Sequence, residues 1–325
     1  MNEEIKELVQ MIDASLAQDG MAIKRRPFEA ARQLVTQFCE AIRVGDGPPQ
    51  APGTLAEFAR EPWFRAIYAE VEGWYQSRYG SQMEEKSQTT FRAVTQFART
   101  SFEMNVPQSV VSPGVPGKTI WLAFPAEVLP DEDVFGWVRD LPNIETYSQA
   151  ALTEAREDAT KVANAIRTIS SRLIGTRNVD EISQRLLAGI QIHLQGAADR
   201  ILSQGDRGGY SRAQWELQMA LESAFKGLMQ QRTGQFAQTH DVYRLFDQTV
   251  RFRPAMSRTL LQALPIWERA VDLRYGLGDE PTAHGIFGWY KTTLEIVSNI
   301  AKGLDGYNFA SARFEIGKAP WLHDN

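Results

Sequence analysis

Few residues in this chain are equipped for chemistry, and their scarcity narrows what it can do. There are four histidines, His193, His240, His284 and His323, and one cysteine, Cys39. The scattered histidines leave little for a metal cluster, and a single cysteine excludes a disulfide framework and a cysteine-based zinc or iron–sulfur centre. Cys39 follows Phe38 and comes four residues after Val35, which reads as a small buried hydrophobe rather than a nucleophile. There is no GxGxxG after a strand, no Walker loop, no His-Glu-x-x-His and no GxSxG. The motif-bearing dinucleotide, NTPase, zincin and hydrolase classes are therefore disfavoured, and no metal or cofactor is expected.

What remains is arginine, aromatic rings and isolated ion pairs. Arg251, Arg253 and Arg258 cluster around Pro254, where they could contact RNA or form ordinary solvated surface. Trp63, Phe64, Tyr68, Trp74, Tyr75 and Tyr79 could stack bases. Their helical spacing favours core instead, and Glu61, Glu70 and Glu72 among them would repel phosphate. Lys24-Arg25-Arg26 is too short for a nucleic-acid tract. Glu222 and Lys226 stand four apart in the favourable order and read as a surface or interface ion pair.

The elements that must position these residues are mostly helical. A length of 325 residues favours two domains, and 43% hydrophobic against 23% charged residues is enough to build a sizeable interior. The formal charge of −5 argues against a generally cationic surface. It is unevenly spread: residues 1–150 hold 14 Lys and Arg against 21 Asp and Glu, and the remainder is close to neutral. The acidic start lacks a signal pattern and no apolar run is long enough to cross a membrane, so the expected location is cytoplasmic, with no membrane partner.

The first 44 residues read as helix from Ile5, Leu8, Val9 and Ile12, and again from Ala30, Leu34, Phe38 and Ala41. Gly and Pro residues at 45–53 break the pattern. Thr54 and Glu57 then have capping-box spacing, and Pro62 restarts the chain. Phe91, Val94 and Phe97 predict a helix over 84–100. Valines at 106, 110 and 111, a Ser112–Gly117 turn and Thr119–Phe124 predict one β-hairpin near 105–125. Helices return at 145–174, 181–203 with Asp180 as its cap, 215–232, 267–275 and 283–304. Thr239 is placed to cap one more between them. The expected organisation is an acidic N-terminal domain over 1–144, a linking helix over 145–179, a helical bundle over 180–305 and a tail over 306–325.

The bundle carries a resemblance. Ala220-Leu-Glu-Ser-Ala-Phe-Lys-Gly-Leu228, then Thr239-His-Asp-Val-Tyr-Arg-Leu245, then Arg274-Tyr275 before a final helix, resembles the HEPN domain over residues 180–305. The similar subgroup is the one paired with minimal nucleotidyltransferases. The resemblance implies a mainly α protein with a C-terminal up-and-down helical bundle. It also implies a nucleotide- or RNA-binding or protein-interaction module, in a bacterial defence or toxin–antitoxin setting, with a homodimer or another protein as partner. Tyr275, Arg251, Arg253 and Arg258 are the candidate ligand contacts. An alternative implied by the same family is a metal-independent endoribonuclease. There an Arg-x4–6-His motif orients phosphate through arginine and moves a proton at the ribose 2′-hydroxyl through histidine. The corresponding pair would be Arg274 and His284, which enclose nine residues instead of four to six. Arg185 with His193 and Arg232 with His240 each enclose seven and lie elsewhere. His240 reads as a helix-start buttress.

Overall fold

A computed structural model describes residues 3–45, 47–80, 90–203, 208–264, 272–275 and 281–317. In chain order the elements are α1 (Glu3–Gln18), α2 (Arg26–Gln33), β1 (Cys39–Arg43), α3 (Leu55–Phe58) and α4 (Pro62–Tyr79). Next come β2 (Thr90–Phe97), β3 (Thr100–Pro107), β4 (Val110–Pro113) and β5 (Thr119–Ala123). Then follow α5 (Gln149–Ile174), α6 (Glu181–Leu202), α7 (Gly209–Thr233), α8 (Val242–Thr249), α9 (Ala283–Lys302) and β6 (Arg313–Gly317). They gather into two compact units, neither continuous in sequence. Residues 1–90, 107–125 and 307–325 form the first, and 91–106 with 126–306 form the second. The expected 145–179 and 180–305 segments, up to Asp305, both fall in the second unit, and the 1–144 stretch contributes to both.

The first unit corrects the expectation of a mainly α protein with a single hairpin. It holds a four-stranded antiparallel sheet in the order β1-β6-β5-β4, and the second unit holds a separate two-stranded sheet, β2-β3. The fold is mixed α and β. The expected hairpin is present as β4-β5, with Val110 opposite Ala123 and Pro113 opposite Ile120.

The other strands were hidden for identifiable reasons. β1 was read as the end of a helix because a bulge between Cys39 and Ala41 breaks its two-residue alternation. β6 alternates buried Phe314 and Ile316 with Arg313 and Glu315 in a stretch read as tail, yet it pairs with both β1 and β5. The three-residue spacing of Phe91, Val94 and Phe97 imitated a helix, but the run is rich in aromatic and β-branched residues and forms β2. Residues 84–89 of that expected helix lie outside the described residues. The β2-β3 turn passes through Ala98 and Arg99, with φ of 46° and 66°, so no glycine or asparagine announced it.

The helices of the second unit follow their apolar periodicity. α5 buries Ala155, Ala159, Val162, Ala163, Ile166 and Ile169, and α9 buries Ile286, Tyr290, Leu294, Val297 and Ala301. Caps fix the starts. Asp180 accepts from Ser183 N at 2.7 Å, and Thr282 accepts from Gly285 N at 3.1 Å. α8 is capped by Asp241, which accepts from Tyr243 N at 2.9 Å and Arg244 N at 3.1 Å, rather than by Thr239. Of the expected 267–275 helix, 272–274 is helical, and 265–271 lies outside the described residues.

Direction matters for the site. Gln230 near the end of α7 donates to Asp180 at the start of α6 at 2.7 Å, so α6 and α7 run antiparallel. Arg232 at the end of α7 donates to the Gly303 carbonyl at the end of α9, at 2.6 and 3.1 Å. Lys291 in α9 meets Asp158 in α5 at 2.7 Å, and Thr176 bridges Gly306 beyond their ends. Helices α5, α7 and α9 therefore run parallel and present their N-termini at one end of the unit, here called the leading end.

Candidate functional site

Arg274 and His284 both belong to the leading end. The Arg274 guanidinium carbon lies 5.5 Å from the ring centroid of Trp215 in α7 and 5.8 Å from that of Tyr275. At these distances each ring attracts the cation, and the guanidinium keeps its donors available for hydrogen bonds. Arg274 is exposed, and Tyr275 keeps 65% of its surface open.

His284 is the second residue of α9 and is also exposed. Its Nδ1 lies 3.4 Å from Oε1 of Gln96 in β2. The Gln96 amide is oriented by its other end, because Nε2 donates to the Ala283 carbonyl at 2.8 Å and a carbonyl can only accept. Oε1 thus faces the imidazole, and a neutral ring that donates to it through Nδ1 leaves Nε2 as the unprotonated nitrogen. The first backbone N–H groups of α9 lack intrahelical acceptors at this point, and the helix dipole adds partial positive charge.

The remaining arginine candidates are not brought to this end. Arg253 is buried against the far end of α9, where a Cβ on Gly303 would stand 3.0 Å from the Arg253 Cα. Its guanidinium lies 3.9 Å from the Phe246 ring centroid and donates to Thr249 Oγ1 at 3.2 Å and to the Phe246 carbonyl at 3.3 Å. Burial pushes its pKa down. The role of Arg253 is to tie α8 down. Arg251 is exposed beside the Phe252 ring, and Arg258 pairs with Asp247 at 3.3 Å over the Tyr243 ring. A 20-residue helix such as α9 is about 30 Å long, so Arg253 and His284 are separated by roughly that length.

Two further clusters stand in this unit. Glu222 is shared by Lys226 Nζ at 2.6 Å and His240 Nδ1 at 2.9 Å. The pair expected at a surface or interface is buried within the unit, with the Lys226 and Glu222 side chains 8% and 11% exposed, and the sixty-per-cent-exposed imidazole closes it from outside. The other is a cleft of about 660 Å3 between α5 and α9, lined by Asp158, Lys161, Lys291, Glu295, Ser298 and Lys302 among others. Gly288 opens onto space, since a Cβ there would meet nothing within 4 Å.

Trp215 and Gln96 were not singled out by sequence reasoning as site residues. Trp215 opens the expected 215–232 helix, but nothing in its spacing tied it to Arg274. Gln96 is 188 residues from His284 and lies in a strand read as helix, so no local signal could find it. Among the described residues no group of three or more metal-ligating side chains occurs, and no helix is long and apolar enough to cross a membrane. No family model, no curated protein and no solved structure matches the chain.

Proposed function

We propose that the helical unit binds a nucleotide or RNA at its leading end, with Arg274 on phosphate, Tyr275 under a base and His284 at the start of α9. The observation that carries this reading is the placement of an exposed guanidinium within cation–π distance of two aromatic rings, at the end where three parallel helices begin. An arginine attracted to rings in this way retains its planar fork of donors for phosphate oxygens, and an exposed tyrosine ring accepts a base of any identity. Helix N-termini favour the same negative charge. The reading agrees with what the resemblance to HEPN proteins implies.

The endoribonuclease alternative is favoured by one detail, the contact of His284 Nδ1 with the Gln96 amide oxygen. A neutral His284 that donates to Gln96 through Nδ1 offers Nε2 as a general base, with Arg274 as the cation of the pair. Both readings meet one experiment on the full chain. Fluorescence anisotropy with a labelled single-stranded RNA is expected to show saturable, salt-dependent binding that falls at least tenfold in Arg274→Ala and is unchanged in Arg251→Ala. Chelated-metal incubation of the same RNA separates the two readings. Cleavage abolished by His284→Ala supports the enzyme, whereas intact RNA leaves a binding module. Binding indifferent to Arg274→Ala would remove the site.

A further inference from the structure

Trp63, the first ring of the aromatic stretch read from the sequence as core, also lines a cavity. Its volume is about 340 Å3, and it lies among the loop after β1, α3, the start of α4 and the segment before β6. Phe58 and Phe309 form a buried floor, each 1% exposed, and Trp63 and Tyr307 continue the aromatic lining. Pro48 and Pro52 complete it from the loop. Glu57 and Glu61 are the only charged side chains among the described residues lining it.

The surround is built before any ligand arrives. Ile42 and Gln50 exchange both main-chain hydrogen bonds, at 2.8 and 2.9 Å, which pins the loop at its base. Prolines fix φ within it. Glu57 accepts from the Thr54 backbone N–H at 2.6 Å and the Thr54 hydroxyl at 2.8 Å. Those two donors hold its carboxyl below the usual carboxylate range, so it remains ionised at neutral pH. Gly53, at φ +78°, lets the chain pass where a Cβ would stand 2.8 Å from the Glu57 carboxylate oxygen.

We infer that this cavity binds an organic cation, specifically an alkylated ammonium group. Ring faces present the negative side of their quadrupole, and the attraction for a cation grows as water is excluded. Two carboxylates set the sign of the charge, and no lysine, arginine or histidine among the lining residues opposes it. A primary ammonium would give up strong hydration that aromatic walls cannot replace, whereas an alkylated one carries its charge on a surface these walls match. An anion would meet repulsion from both carboxylates. The same chemistry is offered by a free small molecule and by a methylated lysine side chain on a peptide.

Isothermal titration of the full chain with choline, with its neutral isostere 3,3-dimethyl-1-butanol and with a short trimethyllysine peptide tests the assignment. Choline is expected to bind at least tenfold more tightly than the isostere. A peptide tighter than choline identifies a protein side chain as the source, and the reverse order identifies a free metabolite. Glu57→Gln retains the capping geometry, since glutamine also serves at that position, and is expected to weaken choline several-fold. Tyr307→Leu should do the same. If either variant fails to fold, Glu61→Gln at the same lining provides the measurement. Equal affinity for choline and its isostere, or no saturable binding of choline, would overturn the proposal without bearing on the leading end of the other unit.

Discussion

At the scale of single residues, burial decides what the reactive groups do. The Cys39 thiol is 8% exposed, and burial pushes its pKa up to about 12. An unfolded thiol ionises near about 8.5, so above that pH the unfolded chain holds fewer protons than the folded one, and stability falls as pH rises towards 12. Denaturant midpoints at pH 7 and pH 10 should separate more in the wild type than in Cys39→Ala. Equal separations would contradict this. Glu222 and Lys226 give a second case. Their spacing was legible in the sequence, but their burial was not, because the chain that covers them comes from beyond the end of α7. Removing Lys226 strips the buried Glu222 carboxylate of its ammonium and leaves it the His240 contact alone, so Lys226→Met is expected to cost about 3 kcal/mol. The double variant Glu222→Leu with Lys226→Met should recover most of it. Chemical denaturation checks both, and a double variant no better than the single would argue against burial as the cause.

At the scale of elements, α9 shows how one helix serves packing and leaves space at once. Gly303 closes it against the Phe252 carbonyl and the Arg253 backbone, where a Cβ would be 3.0 Å from the Arg253 Cα. Gly288 faces open space within the same helix. Alanine should therefore act in opposite directions. Gly288→Ala is expected to stabilise by about 0.5–1 kcal/mol from helix propensity, and Gly303→Ala to lower the thermal midpoint by several degrees. Thermal melts of the two variants read both signs, and a stabilising Gly303→Ala would contradict the close approach. Element type was legible where one face alone is buried, as in α5, α6 and α9. It was obscured where a bulge shifts the alternation, as in β1, or where a strand is buried on both faces, as in β2 from Ala93 to Phe97. Thr54 and Glu57 were legible as a capping box because that motif is complete within four residues.

At the scale of the molecule, long-range closure was the part that local pattern could not carry. β6 comes from the last stretch of the chain to sit between β1 and β5, and β2-β3 joins the helical unit although its flanks belong to the first. The same limitation applied to the site. Arg274 and His284 could be named from their order in the sequence, while the parallel course of α5, α7 and α9 that brings both to one end became visible only in the fold. On the proposed reading, the leading end of the helical unit receives RNA or a nucleotide. Photo-crosslinking of a 4-thiouridine-bearing RNA to the full chain, with mapping of the attached peptides, tests it most directly. Adducts are expected at Tyr275 or Trp215 and should disappear in Arg274→Ala. Adducts confined to the sheet unit or to the Arg251–Arg258 region, or adducts unaffected by Arg274→Ala, would contradict it.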